Sequence, residues 1–226
     1  MKKEIFELKD VWKIYKMKGV ETKALRGINL TIKKGEYDAI IGPSGSGKST
    51  LMHVLGCLDT PSKGKVLIEG EDISFMEDDQ LALVRRDKIG FIFQAYNLVQ
   101  GLDAIENVAL PMRLAGHDRE ESESRAVSLL KKVGLEKRMH HKPNEMSGGE
   151  QQRVAIARSL VNDPDVILAD EPTGNLDTKT GREIMELLES FRKKMGKTMI
   201  IVTHDKKLAK RAPRQIRMLD GRMAGS

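Results

Sequence analysis

A chain of 226 residues with 39% apolar side chains has room for one sizeable core and a smaller appended lobe. The single cysteine, Cys57, excludes an intrachain disulfide and fits a reducing compartment, and no apolar run approaches the roughly 18 residues of a membrane span. The net charge of +6 draws on Lys206, Lys207, Lys210, Arg211, Arg214 and Arg217 near the end; with only 4% aromatic residues, this stretch reads as a solvated helix face rather than a nucleic-acid surface, with attraction to an anionic membrane surface as a reading between the two.

The opening residues Met1-Lys2-Lys3-Glu4-Ile5-Phe6-Glu7 carry acidic groups where a secretory leader needs an apolar core. Alternating apolar residues over 5–15 and 25–32 predict half-buried strands of an N-terminal sheet, with a third over 65–69. Ile40-Ile41, Val166-Ile167-Leu168-Ala169 and Met199-Ile200-Ile201-Val202 are apolar throughout, as strands of a parallel sheet covered on both faces require. Helix-like stretches over 104–114, 120–133 and 147–161 form a run without a strong strand signal. A further helix keeps Ile184, Leu187, Leu188, Phe191 and Met195 on one face and stops at Gly196. The fold class is therefore α/β: a core over 1–94 and 164–226 with a helical subdomain over 95–163 inserted between its strands.

The octet Gly42-Pro43-Ser44-Gly45-Ser46-Gly47-Lys48-Ser49 matches G-x-x-x-x-G-K-[ST] between an apolar run and a helix-like stretch. Glycines let successive N–H groups turn inward on a phosphate, at the positive end of the helix that follows. Lys48 supplies a charge for the β and γ phosphates, and the Ser49 hydroxyl is placed for Mg²⁺. The run 166–169 delivers Asp170-Glu171 at its end, where ligands bind in open α/β sheets. Asp170 suits the carboxylate that holds Mg²⁺ and Glu171 a base for attack on the γ-phosphate. Ser147-Gly148-Gly149-Glu150 is a capping box with two glycines that capping leaves unexplained. They suit close approach of something to the backbone, such as phosphate oxygens.

The order Tyr15, 42–49, Gln94, Ser147-Gly148-Gly149-Glu150-Gln151-Gln152-Arg153, Asp170-Glu171, Gly174-Asn175-Leu176-Asp177 and His204 resembles the nucleotide-binding subunit of an ATP-binding-cassette (ABC) transporter over essentially the whole chain. Gly56-Cys57-Leu58-Asp59, 85–91 and 106–111 are similar to the lipoprotein-release and macrolide-export subfamily. The resemblance implies a P-loop NTPase (RecA-like) parallel-sheet core with an N-terminal antiparallel β subdomain and an inserted helical subdomain. It implies ATP and Mg²⁺ as cofactors, hydrolysis of ATP, and a head-to-tail dimer with two ATP molecules at its interface. Gly42, Ser44, Gly45, Ser46, Gly47, Lys48, Ser49 and Thr50 would hold the nucleotide, and Tyr15 would stack on adenine. Gln94 would reach Mg²⁺ and the attacking water, and His204 the γ-phosphate. Ser147, Gly148 and Gly149 would act in trans, with Asp177 at the dimer seam. The partner would be an integral membrane permease, placing the protein in the cytoplasm at the inner face of the membrane; no nucleic acid is expected.

Met146 and Glu150 depart from the Leu and Gln usual in this signature, and Glu150 suits a triphosphate site only when turned into its capping box. Asp38 interrupts an apolar strand and is either near its exposed start or buried with a partner. Tyr96, Leu98, Val99 and Leu102 either receive a permease helix or pack in the core. His117, His140 and His141 lack metal-ligand spacing and read as surface residues, and Cys57 reads as packing.

Overall fold

The computed structural model describes residues 3–17 and 20–224. Its elements in chain order are β1 (Glu4–Met17), β2 (Val20–Lys33), β3 (Tyr37–Ile41), α1 (Lys48–Leu55), β4 (Lys63–Ile68), β5 (Glu71–Asp72), α2 (Asp78–Lys88), β6 (Ile89–Ile92), α3 (Ala104–Leu114), α4 (Arg119–Lys132), α5 (Gly148–Ser159), β7 (Val166–Asp170), α6 (Thr178–Met195), β8 (Thr198–Thr203), α7 (Lys206–Ala209), β9 (Arg214–Leu219) and β10 (Arg222–Met223). Two compact units result, one of residues up to Arg85 with those from Thr198 on, the other running from Arg86 to Lys197.

In the first unit, β2-β1-β4-β5 is an antiparallel sheet whose alternation puts Phe6, Leu8, Leu30 and Ile32 inside. Strand β3 lies between β8 and β9 and is parallel to both, Ala39 standing opposite Ile201 on one side and Gln215 on the other. All six residues of β8 are buried, which explains its uninterrupted apolar run. Helix α1 buries Leu51, Met52, Val54 and Leu55. Cys57, just beyond it, is buried, and burial pushes its thiol up to about 12, so packing is its role.

Asp38 resolves to the buried alternative. It is 1% exposed within β3, and its carboxylate lies 3.7 Å from the Arg214 guanidinium of β9. Burial pushes Asp38 up to about 6 against the pull of Arg214, while Glu36 adds to the rise. The basic stretch near the end is corrected by the same strand. Arg214 and Arg217 project from β9 rather than from a helix, and α7 carries only Lys206 and Lys207, with Lys210 as its C-cap. Alternation does the rest: Ile216 and Met218 are buried, and the other four residues of β9 are exposed.

In the second unit, β6 and β7 pair in parallel, from Ile89 opposite Val166 to Ile92 opposite Ala169. Helices α3, α4 and α5 fall in the stretch expected to be helical. Asp103 and Glu106 form a capping box at the start of α3, and Asp118 caps α4. Helix α6 buries Ile184, Met185, Leu188 and Phe191 on one face and ends at Gly196 with φ of 65°. Among the described residues no helix is long and apolar enough to cross a membrane.

Candidate functional site

The phosphate loop joins β3 to α1 in the first unit. Gly47 precedes α1 with φ of 98°, and a Cβ there would stand 2.5 Å from the Ala24 carbonyl oxygen. At Gly42 a Cβ would stand 2.6 Å from the Ser46 Oγ and run into the Met218 carbonyl. The Lys48 ammonium donates to the Gly42 and Pro43 carbonyls, both at 2.9 Å, which holds it folded over the loop. No side chain caps α1, so its first-turn N–H groups are left for a ligand, and Ser49 and Thr50 follow in that turn. The Ser46 Oγ is buried with no hydrogen-bond partner. An uncapped helix start, a turned-in lysine and a buried hydroxyl lacking a partner fit a polyphosphate chain. Ser44 and Gly45 are the exposed tip of the loop.

His204 follows the end of β8. It lines a cavity of about 600 Å³ together with Gly42 and Pro43, and Lys206, Lys210 and Arg217 also line it. The histidine and the start of the phosphate loop therefore share one space at the carboxyl ends of β3 and β8. Tyr15, on β1, is half-buried, and its hydroxyl donates to the Asp59 carboxylate at 2.8 Å. Burial and then Asp59 push the phenol up from its ordinary value, against a hydrogen bond with Thr50, so it stays an O–H donor.

In the second unit β7 ends at Asp170, and Glu171 follows in the left-handed region with φ of 43°. A glutamate held there costs on the order of 1–3 kcal/mol and persists only where the surroundings fix it. Two of those fixtures are visible: Gly174 donates to the Glu171 carbonyl at 2.9 Å, and the buried Gln152 of α5 donates to the Pro172 carbonyl at 2.7 Å. Gln94 is exposed after β6 and exchanges hydrogen bonds with Asn175. Its amide donates to the Asn175 Oδ1 at 3.2 Å, and the Asn175 amide donates back to the Gln94 carbonyl at 2.9 Å. Neither Gln152 nor Asn175 was assigned a task from sequence, although both stand inside the motifs. Their partners are backbone carbonyls or an amide far away in the chain, so pattern alone could not find them.

Ser147 caps α5: its Oγ accepts from the Glu150 N–H at 3.3 Å, and Glu150 Oε2 accepts from the Ser147 N–H at 2.8 Å. The backbone bond from Ser147 holds the Glu150 carboxyl below its usual range, with Arg138 adding to the effect. Glu150 is thus turned into its box. The two glycines make room for neighbours in the same unit: a Cβ on Gly148 would stand 2.7 Å from the Tyr96 Oη, and one on Gly149 would stand 2.6 Å from the Thr180 Cγ2. Asp177 is the N-cap of α6, accepting from the Lys179 and Thr180 N–H groups, both at 3.0 Å. After Gln94, Leu98 is buried while Val99 is exposed, so only part of that stretch faces outward. His117, His140 and His141 make local polar contacts, and the described residues hold no group of three potential metal ligands among His, Cys, Asp and Glu.

A family model described as ABC transporter matches residues 25–174. A Thermotoga maritima protein described as an uncharacterized ABC transporter ATP-binding protein is 59% identical over 223 residues, covering 99% of this chain and 95% of that one. The macrolide export ATP-binding/permease protein MacB of Hyphomonas neptunium is 51% identical over 219 residues, covering 97% of this chain. This chain spans only 34% of that relative's length. Among solved structures, a dimeric post-hydrolysis state of the ATP-binding cassette MJ0796 bound to ADP and Pi superposes with a TM-score of 0.90 at 48% identity, with 97% of each chain covered. The parallel-sheet core with its antiparallel β subdomain is the fold of these cassettes.

Proposed function

The chain belongs to the ABC transporter family as an ATP-binding member, and from that premise we propose that it is the ATP-hydrolysing subunit of a transporter. It works as a head-to-tail pair of copies closed on ATP and drives a separate membrane permease at the inner face of the cell membrane. The observation that carries this reading is the phosphate loop: α1 begins without a side-chain cap behind Gly47, and Lys48 lies over the loop. The ADP- and Pi-bound dimer solved for MJ0796 supports the pairing. The joint ATP-binding/permease names of the MacB relatives, in chains about three times as long, support a membrane partner.

Lys48 exchanges its two carbonyl partners for β and γ phosphate oxygens, and the N–H groups of 45–50 complete the cradle. The Ser49 hydroxyl, Gln94 and Asp170 are hard oxygen donors suited to Mg²⁺, which when bound neutralises charge on the β and γ oxygens. Glu171, aimed by its constrained backbone, accepts the proton of the attacking water at its carboxylate. His204 donates to the γ-phosphate, and Tyr15 stacks on adenine. Ser147, Gly148 and Gly149 close on the nucleotide of the other copy, with Asp177 beside the seam. Water exclusion on closure strengthens every one of these contacts.

The mass in solution of Glu171→Gln, with and without Mg-ATP, tests this directly. A shift from monomer to dimer on adding ATP is expected, with turnover reduced by about a hundredfold or more. A monomer under both conditions with ATP bound, or wild-type turnover, would overturn the pairing or the role of Glu171 respectively.

A further inference from the structure

Tyr15 is the one residue assigned to the base rather than to the phosphates, and a ring on a strand can swing about two side-chain torsions. Ordering it on binding costs affinity unless something orders it beforehand. The structure provides that ordering. The Tyr15 hydroxyl donates to Asp59 Oδ2 at 2.8 Å, and Lys13 pairs with Asp59 Oδ1. The Lys13 ammonium also donates to the Thr60 carbonyl at 2.8 Å, and the Thr60 N–H donates to Asp59 Oδ1 at 2.9 Å. Lys13 and Tyr15 are two residues apart on β1 and so share a face, and the ammonium lies 5.2 Å from the Tyr15 ring centroid, within cation–π reach. The chain leaving α1 is laced along the same strand. Ser62 donates its N–H to the Trp12 carbonyl at 2.7 Å, and its Oγ accepts from the Ile14 N–H at 2.9 Å.

We propose that Asp59 is a positioning residue for base recognition: with Lys13 it fixes the Tyr15 ring in the attitude that stacks on adenine. The segment that follows α1 thereby sets the span from base platform to phosphate loop. This explains why an aspartate ends the Gly56-Cys57-Leu58-Asp59 stretch, which the hydrolytic machinery leaves without a task. The inference rests on the reading of Tyr15 as the adenine platform, and one experiment separates the two.

Calorimetric affinities for ATP and for inorganic tripolyphosphate, measured without divalent metal, are compared in wild type, Tyr15→Ala, Tyr15→Phe and Asp59→Ala. ATP binding is expected to weaken about tenfold in Tyr15→Ala and about fivefold in Tyr15→Phe and Asp59→Ala, while tripolyphosphate affinity stays within about twofold in all three. Tyr15→Phe keeps the ring and removes the hydroxyl, which bonds Asp59 and also contacts Thr50, so it tests the anchoring of the ring even if Asp59→Ala fails to fold. Wild-type ATP affinity in Tyr15→Phe, with Tyr15→Ala weakened, overturns the role of Asp59 and leaves the adenine reading standing. Unchanged ATP affinity in Tyr15→Ala overturns both. Parallel loss of ATP and tripolyphosphate in Asp59→Ala also overturns the inference, because the carboxylate would then act on the phosphate loop.

Discussion

Helices α1 and α5 both begin at glycine-containing turns, yet the two starts are finished in opposite ways. Helix α1 has Gly47 at its N-cap with φ of 98°, no side-chain cap and no acidic residue in its first turn. Helix α5 has Ser147 in extended backbone, a complete capping box, and Glu150 in its first turn. A helix start leaves about four N–H groups without intrahelical partners. In α1 no side chain takes any of them, which leaves them for the phosphate proposed above; in α5 the helix satisfies part of the set itself. The glycines differ in the same sense. Gly47 supplies a backbone conformation that side chains resist, whereas Gly148 and Gly149 remove side-chain volume beside Tyr96 and Thr180. One residue type thus serves two purposes, and only the surroundings tell them apart.

The sharpest way to break the comparison is Lys48→Ala. Without its ammonium the α1 start keeps its amides but loses the charge folded over Gly42 and Pro43. Phosphate release should fall about a thousandfold or more. Turnover within about tenfold of wild type would mean that the amides alone suffice. Next is Ser147→Arg, which ends the capping box and places a long cation where a helix start should be clear. Turnover is expected to drop about a hundredfold while ATP binding by the isolated chain changes by less than about twofold, as action in trans requires. Equal loss of both would make α5 part of the chain's own nucleotide site. Gly149→Ala is smaller and acts on stability. Helix propensity alone favours alanine by about 1 kcal/mol, but the new methyl would crowd Thr180. A net loss of about 1 kcal/mol in denaturant unfolding is expected, and a net gain would show that the close approach is slack.

The elements that position these helix starts were largely legible, for physical reasons. Strands β3, β7 and β8 are covered on both faces and so read as short continuous apolar runs, and α3 to α6 begin at side-chain caps, with α4 and α6 each burying one face. Strand β6 did not declare itself, since four residues interrupted by Gly90 are too few for a period to emerge. Strand β9 is masked by charge: Arg214 at its start and Arg217 between Ile216 and Met218 leave only two buried apolar residues to carry the alternation. The pairing of Arg214 with Asp38 also lies beyond sequence reach, because parallel strands joined through distant segments bring the two together. The types and order of the proposed site residues can be read from sequence, whereas the Gln94–Asn175 exchange, the Gln152 hold on Pro172 and the left-handed turn at Glu171 depend on tertiary placement.

The smallest expected effect isolates the carboxylate that α5 has and α1 lacks. Glu150 sits below its ordinary value of 4.5, chiefly because the Ser147 N–H donates to it. A carboxyl whose folded value is depressed adds stability that is fully present above the unfolded value and disappears as pH falls through the folded one. Glu150→Gln keeps a capping amide oxygen but removes the charge that faces Arg138 and the helix start. At pH 7 the variant should therefore lose a few tenths of a kcal/mol, since the group is largely solvated. Wild-type Glu150, once protonated, presents the same uncharged acceptor as glutamine. The difference in unfolding temperature between the two proteins should accordingly shrink toward zero as pH falls through and below 4.5. A difference that persists unchanged into acid would mean that shape rather than charge sets the worth of this cap. The contrast with the uncapped, acid-free start of α1 would then rest on the serine alone.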